Sequence, residues 1–329
     1  MRRFIVGIGM IVLGLMICRG WAEAQQNVLR AGVAVSKDYP FTKGAEYLAA
    51  KLRERTSGRV TLEVFPDAVL GSEPELFEQV RGGGLDISVV SANYIGVFAK
   101  EGNLWDLPFL LKDLAHREAV TEGPIGRQYA EIIEKKTGVV VLGYFGGSVR
   151  NVLCRNRAVN SIQDLQGIKI RAQPSAMIVD AWKAIGMVPV PLAYPEVYLA
   201  LKTGVVECAE NEALTFSLAK WAEVAKNIGL TQHTITIKPL VMSAKSLTKL
   251  SSADQEILRT VAREAVKYEV NLEVEGDKMT SSLLAQKYGV KTTTPDRQPF
   301  IERTKPIAEE FAKSVGLEAT LQEIYKMAK

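Results

Sequence analysis

The stretch Leu29-Arg30-Ala31-Gly32-Val33-Ala34-Val35 is followed by a helically spaced segment, 42–55, that stops at Ser57-Gly58. After it comes Val60-Thr61-Leu62-Glu63-Val64-Phe65, apolar at every second position. Short apolar or alternating runs bounded by turn residues read as strands, and apolar positions three and four apart read as a helix. The segment is therefore a strand, a helix and a strand. The same order recurs downstream, with strands expected at 87–90, 139–145, 168–172 and 188–191. Helices are expected at 73–80, before Gly82-Gly83-Gly84, and at 125–136, before Gly138. Alternation of this kind predicts an α/β fold built on largely parallel sheets.

The second half repeats the theme less regularly, with helices expected at 177–185 and 195–203 and a strand at 205–210. Residues 234–243 read as a strand returning toward the first lobe. Ser252 and Gln255 have capping-box spacing, and 253–275 contains neither Gly nor Pro. That predicts a helix of roughly 33 Å, long enough to bridge two lobes. There is no low-complexity linker and no repeat, so the chain must cross between lobes more than once. The expected division is 25–148 plus about 235–275 for lobe I, and 149–234 plus about 276–329 for lobe II.

The chain has 329 residues, ample for two lobes at roughly 100 to 200 residues per domain. Hydrophobic residues make up 47% and charged residues 24%, the composition of an ordinary globular protein. The formal charge of +4 includes Arg2, Arg3 and Arg19; without them the chain lacks the basic surplus that nucleic-acid binding requires. Those arginines belong to an opening segment with an apolar run at 4–18 and Ala22-Glu23-Ala24 before Gln25. This is the pattern of a secretory signal peptide, 1–24, cleaved after Ala24, which places the protein in the periplasm. The apolar run is shorter than the roughly 20 residues that span a bilayer, so no stable membrane insertion is expected after cleavage. Ile17 is too bulky for a lipid-attachment site at Cys18.

Cys154 and Cys208 remain after processing, and an exported protein can pair them if their Cα atoms lie within about 7 Å. The sequence leaves that open. With only His116 and His233 besides, there is no metal-ligand spacing, and neither metal nor cofactor is expected. A hydrolase of the nucleophile-elbow type would carry G-x-S-x-G, and none is present. Gly82-Gly83-Gly84 follows a helix and precedes a strand, the reverse of the order in phosphate loops. It reads as a helix stop and a turn.

Arg171 ends the apolar run Gly167-Ile168-Lys169-Ile170-Arg171. Ligand sites of α/β proteins form at the carboxyl ends of strands, and a guanidinium there can grip a carboxylate with two parallel hydrogen bonds. A solvated strand-end arginine is the alternative. Arg150 follows the 139–145 strand across Gly146-Gly147-Ser148, where the backbone can approach a ligand closely. With Arg155 and Arg157 nearby, a surface charge is its alternative. Asn211, among Glu207, Glu210 and Glu212, has an amide able to pair with a carboxylate or a hydroxyl, or to cap a helix. Tyr194, between Ala193 and Pro195, can stack on a ligand or sit in the core.

Several further stretches fall in a definite order: Val64-Phe65-Pro66 with Leu70-Gly71-Ser72-Glu73, Asp106-Leu107-Pro108-Phe109-Leu110, the Arg171 run with Pro174-Ser175, Glu196-Val197-Tyr198 with 200–206, and Leu250-Ser251 with Asp254-Gln255. In this order and spacing the chain resembles the DctP-type solute-binding proteins of TRAP transporters over essentially its whole mature length. The resemblance implies two α/β lobes with hinge-crossing strands and a long helix spanning both. It also implies capture of a small organic acid by lobe closure and delivery to a membrane permease, with no bond made or broken. In that family the arginine of the K-I-R stretch anchors the ligand carboxylate, a role that falls on Arg171. Arg150, Asn211, Glu210 and Tyr194 match further ligand positions, Glu210 as a supporting or hydroxyl contact.

The chain also departs from the family. Ala209-Glu210-Asn211-Glu212 stands where Q-E-N-P is common. Ser91 stands where sialic-acid-binding relatives carry a glutamate, and Ala34 where they carry an asparagine, which argues against sialic acid. Three rivals share part of this reading: an exported enzyme, the binding protein of an ABC importer, and a ligand-presenting subunit of a sensor system.

Overall fold

The computed structural model describes residues 26–328; the expected signal peptide lies outside them. One sheet has the order β2-β1-β3-β10-β4, formed by β1 (Asn27–Gly32), β2 (Val60–Phe65), β3 (Ile87–Val89), β4 (Val139–Phe145) and β10 (Lys238–Ser243). The other has the order β11-β9-β5-β8-β6-β7, formed by β5 (Val149–Cys154), β6 (Lys169–Ala172), β7 (Val188–Pro191), β8 (Cys208–Asn211), β9 (Asn227–Ile235) and β11 (Lys291–Thr293).

The strand-helix-strand opening forms as expected: β1 pairs in parallel with β2 across the helix Pro40–Arg55. The sheets are mixed, however. β10 runs antiparallel to β3 and β4, and β5 antiparallel to β8 and β9. These are the strands next to the crossings, and a strand arriving from the other sheet enters against the local direction. β4 reads Val-Val-Val-Leu-Gly-Tyr-Phe because helices cover both of its faces. Val139 and Tyr144 enter one core with Trp105, Tyr129 and Ile133, while Val140, Leu142 and Phe145 enter another with Leu48, Val261 and Ala265.

Among the described residues, three pieces of chain connect a strand of one sheet to a strand of the other: residues 146–148 between β4 and β5, residues 236–237 between β9 and β10, and the long helix between β10 and β11. The expected strand at 234–243 is thus two strands broken at the crossing. Gly146 has φ of 89°, and a Cβ there would lie 2.6 Å from the Thr236 carbonyl oxygen, so only glycine lets the crossings touch. The Gly146 N–H donates to Glu269 Oε2 at 2.8 Å, and the Ser148 N–H donates to Glu273 Oε2 at 3.4 Å. Both carboxyls are fully buried on the long helix. Burial pushes the Glu269 carboxyl up to about 8 against the opposing pull of Gly146 N–H and Arg117. Burial, together with the neighbouring Glu269, pushes Glu273 well up too.

The long helix runs Ser252–Tyr288, 37 residues, or about 55 Å at 1.5 Å per residue. Its cap is Ser251, whose hydroxyl accepts from the Asp254 N–H, one residue ahead of the expected Ser252–Gln255 box. It passes through Gly276, where the sequence reading stopped. A glycine costs a helix only about 1 kcal/mol, and packing on both sides outweighs that. Leu258, Val261, Ala262 and Ala265 pack in the first lobe and Leu284 in the second.

Residues 227–233 and 291–327, which carried no sequence assignment, supply most of β9, all of β11 and two helices. In Gln298–Val315, Phe300 joins a core under the second sheet, but Ala308 and Ala312 join a core of the first. Leu321 and Ile324 of Glu318–Met327 follow them there. The end of the chain therefore returns to lobe I, whereas the sequence division gave all of 276–329 to lobe II. An amphipathic helix shows which face it buries but not which core receives it. The strand expected at 205–210 also shifts, to β8: Gly204 at φ 80° closes the helix Val197–Thr203, and Val205 is left exposed. Cys154 and Cys208 face each other in the β5–β8 register and form a disulfide, with Cα atoms 4.1 Å apart. Among the described residues no helix is long and apolar enough to cross a membrane.

Candidate ligand-binding site

Strand ends from both sheets converge on a cavity whose wall includes Arg150, Arg171, Tyr194, Asn211, Glu73 and Lys238. Tyr39, Phe41, Tyr94, Gln173 and Thr215 complete much of it. β6 carries Arg171, β5 carries Arg150 and β8 carries Asn211, while Tyr194 enters from the turn Tyr194–Glu196 after β7. The first lobe contributes Glu73, at the start of the helix Glu73–Gly82, and Lys238, at the start of β10.

The two arginines differ in what they face. Arg171 is 1% exposed. Its Nε donates to the Leu192 carbonyl at 2.9 Å, and its Nη1 is buried with no partner among the described residues. Burial pulls its guanidinium below the ordinary arginine range, with Glu210 and Tyr94 opposing from a distance. A buried cation without a counterion costs several kcal/mol, and an acidic ligand offsets that.

Arg150 is also buried but fully matched. Its Nε and Nη2 donate to the Glu210 carboxylate at 2.7 and 2.8 Å in a bidentate pair, and its Nη1 donates to Glu212 Oε2 at 3.4 Å. Burial alone would lower Arg150, and the Glu210 and Glu212 charges more than reverse this. Glu210 is held below the ordinary carboxylate range, burial being outweighed by Arg150 and a hydrogen bond with His233. Glu210 thus lies behind Arg150 and is absent from the wall of this cavity.

Asn211 lines the cavity while its Oδ1 accepts the Glu212 N–H at 3.2 Å. Tyr194 packs on Trp221 at 5.8 Å between ring centroids and shows its other side to the cavity. Ser91 is one layer back. Its N–H and hydroxyl donate to Glu73 Oε2 at 2.6 and 2.7 Å, and its hydroxyl accepts from Lys238 Nζ. Lys238 also donates to Glu73 Oε1 at 2.7 Å. Burial works against the Glu73 charge, and Lys238 and Ser91 more than compensate, holding it low. The sequence reading missed Lys238 and the role of Glu73. A lysine inside an otherwise apolar strand was the available signal, since such a charge is buried only with a partner.

A cleft between two α/β lobes, joined by crossing strands and lined by a buried guanidinium with no carboxylate partner among the described residues, defines a two-lobed binding protein for acidic solutes. The family model for bacterial extracellular solute-binding proteins, family 7 (DctP), matches residues 31–314. A solved TRAP periplasmic solute-binding protein from Chromohalobacter salexigens with bound D-glucuronate is 30% identical, with a TM-score of 0.87, over 91% of this chain and 99% of that one. One from Sulfitobacter sp. NAS-14.1 with bound β-D-galacturonate is likewise 30% identical, with a TM-score of 0.86 and the same coverage. The 2,3-diketo-L-gulonate-binding periplasmic protein of Escherichia coli is 31% identical over 84% of this chain and 86% of that protein. The chain belongs to this family, the DctP-type solute-binding proteins of TRAP transporters.

Proposed function

We propose that this protein captures a small organic acid in the cavity between its lobes, holds the carboxylate on Arg171 and delivers the acid to the membrane subunits of a TRAP permease. The observation that carries the reading is the buried Arg171 guanidinium, whose Nη1 has no partner among the described residues. Charge-assisted hydrogen bonds contribute about 1.5 to 3 kcal/mol each when the donors are already placed, and the Leu192 carbonyl fixes the Arg171 fork. Micromolar affinity needs about −8 kcal/mol, within reach of two such bonds and the burial of a small ring. Tyr194 and Asn211 contact the body of the ligand; Arg150, clamped by Glu210, shapes the wall beside it.

The first acids to test are hexuronates, which relatives in this family hold in their solved structures. Residues 1–24 direct export and are removed. The disulfide suits an oxidising compartment. A thermal-shift screen against monocarboxylates, dicarboxylates and hexuronates tests the reading, because a ligand that binds only the folded protein raises its apparent stability. A concentration-dependent rise with at least one acid is expected. Flat transitions with every acid would overturn the proposal.

A further inference from the structure

We infer that the buried pair Glu73–Lys238 reads a hydroxyl group of the ligand and restricts the site to acids with a single carboxylate. The inference rests on the proposed carboxylate anchor at Arg171 and assigns the opposite wall of the same cavity. A lysine ammonium has three N–H donors. Two of Lys238's are engaged, on Glu73 Oε1 and on Ser91 Oγ. Glu73 Oε2 takes both the N–H and the hydroxyl of Ser91, while Oε1 takes only Lys238. The pair therefore keeps one spare donor and one spare acceptor side by side on the cavity wall.

A hydroxyl both donates and accepts, so it completes the pair. A carboxylate only accepts, and at this place it would meet the Glu73 charge. The charges around the cavity point the same way. Arg150 is matched by Glu210 and Glu212, and Lys238 by Glu73, so Arg171 is the one cation of this wall without a carboxylate partner among the described residues. A second ligand carboxylate would be buried with no counterion.

The placement also ties recognition to closure. Arg171 stands on the second sheet, while Glu73 and Lys238 stand on the first lobe. An acid without hydroxyls grips one lobe; a hydroxy acid bridges both.

Titration calorimetry on the full mature chain tests this with four probes: D-galacturonate, D-glucuronate, galactarate (the open-chain diacid of galacturonate, with a carboxylate at each end) and cyclohexanecarboxylate (a ring acid with no hydroxyl). The tighter of the two uronates is expected to bind at least about tenfold more tightly than either of the other acids. Galactarate or cyclohexanecarboxylate binding as tightly as that uronate would overturn the inference and leave the Arg171 anchor standing. Binding of none of the four would overturn the inference, and the Arg171 anchor falls with it only if the wider acid screen is flat as well. The double variant Glu73→Gln/Lys238→Met removes both charges together, so neither is stranded. It is expected to weaken the uronate at least about tenfold while leaving cyclohexanecarboxylate affinity unchanged. An equal loss for both acids would show that the pair only supports the fold and would overturn the inference.

Discussion

Arg150 and Arg171 sit on neighbouring parts of one cavity wall, are both buried, and are both carried by strands of the second sheet. Arg150 faces two carboxylates of its own chain, and Arg171 faces none at hydrogen-bond distance among the described residues. Burial and residue type are nearly the same at the two sites, so the difference in countercharge is what separates a structural ion pair from the proposed ligand anchor. Removing Arg150 strands charges inside the protein, whereas removing Arg171 takes away a charge with no carboxylate at hydrogen-bond distance among the described residues.

The sharpest way to break this contrast is Arg150→Ala. It leaves Glu210 and Glu212 buried without their cation, and losing one partner of such a pair destabilises by about 3 to 5 kcal/mol. Urea unfolding of the ligand-free protein should show that loss. A change below about 1 kcal/mol would mean that Arg150 is not structurally committed.

Arg171→Met should do the opposite in the same assay, leaving ligand-free stability unchanged or raised, since a buried cation without a counterion is replaced by an apolar chain of similar length. A loss as large as that of Arg150→Ala would erase the distinction between the two arginines. Arg171→Lys keeps the charge but not the bidentate fork, and affinity for the bound acid should fall about tenfold, near 1.4 kcal/mol. Unchanged affinity in calorimetry would indicate a point-charge attraction with no directed pair.

The smallest expected effect lies at the hinge and concerns burial without any ligand role. Glu269 and Glu273 have carboxyl pKa values raised by burial, so the folded protein favours their protonated forms. That stability is fully present below the unfolded carboxylate value of about 4.3 and is lost as pH rises through the folded value, about 8 for Glu269. Melting temperature should therefore fall between about pH 5 and pH 8, and Glu269→Gln should flatten part of the decline. A wild-type melting temperature that rises across that range would contradict this account of the crossing strands.

Much of this was readable from the chain. The strand and helix periods specify the α/β layers, while the arginine ending the run 167–171 reads equally as a carboxylate grip or a solvated strand end until the structure buries it. What could not be read concerns partners distant in sequence. Lys238 sits in a run that looks like a plain buried strand, and its carboxylate lies 165 residues away at Glu73. Glu269 and Glu273, four apart on a helix, look like a solvated face. Only the passage of residues 146–148 beside them makes that face interior. The return of Ala308 through Ile324 to the first lobe is likewise decided by which core has room.

The central claim is that Arg171 is the anchor and Arg150 is not. Its most direct test is titration calorimetry of wild type and Arg171→Ala with the tightest acid found in the screen, with unfolding curves of both proteins measured alongside. The account predicts affinity lower by at least about a hundredfold in the variant, from two lost charge-assisted hydrogen bonds, with ligand-free stability retained. Affinity within about threefold of wild type, in a variant that remains folded, would contradict it.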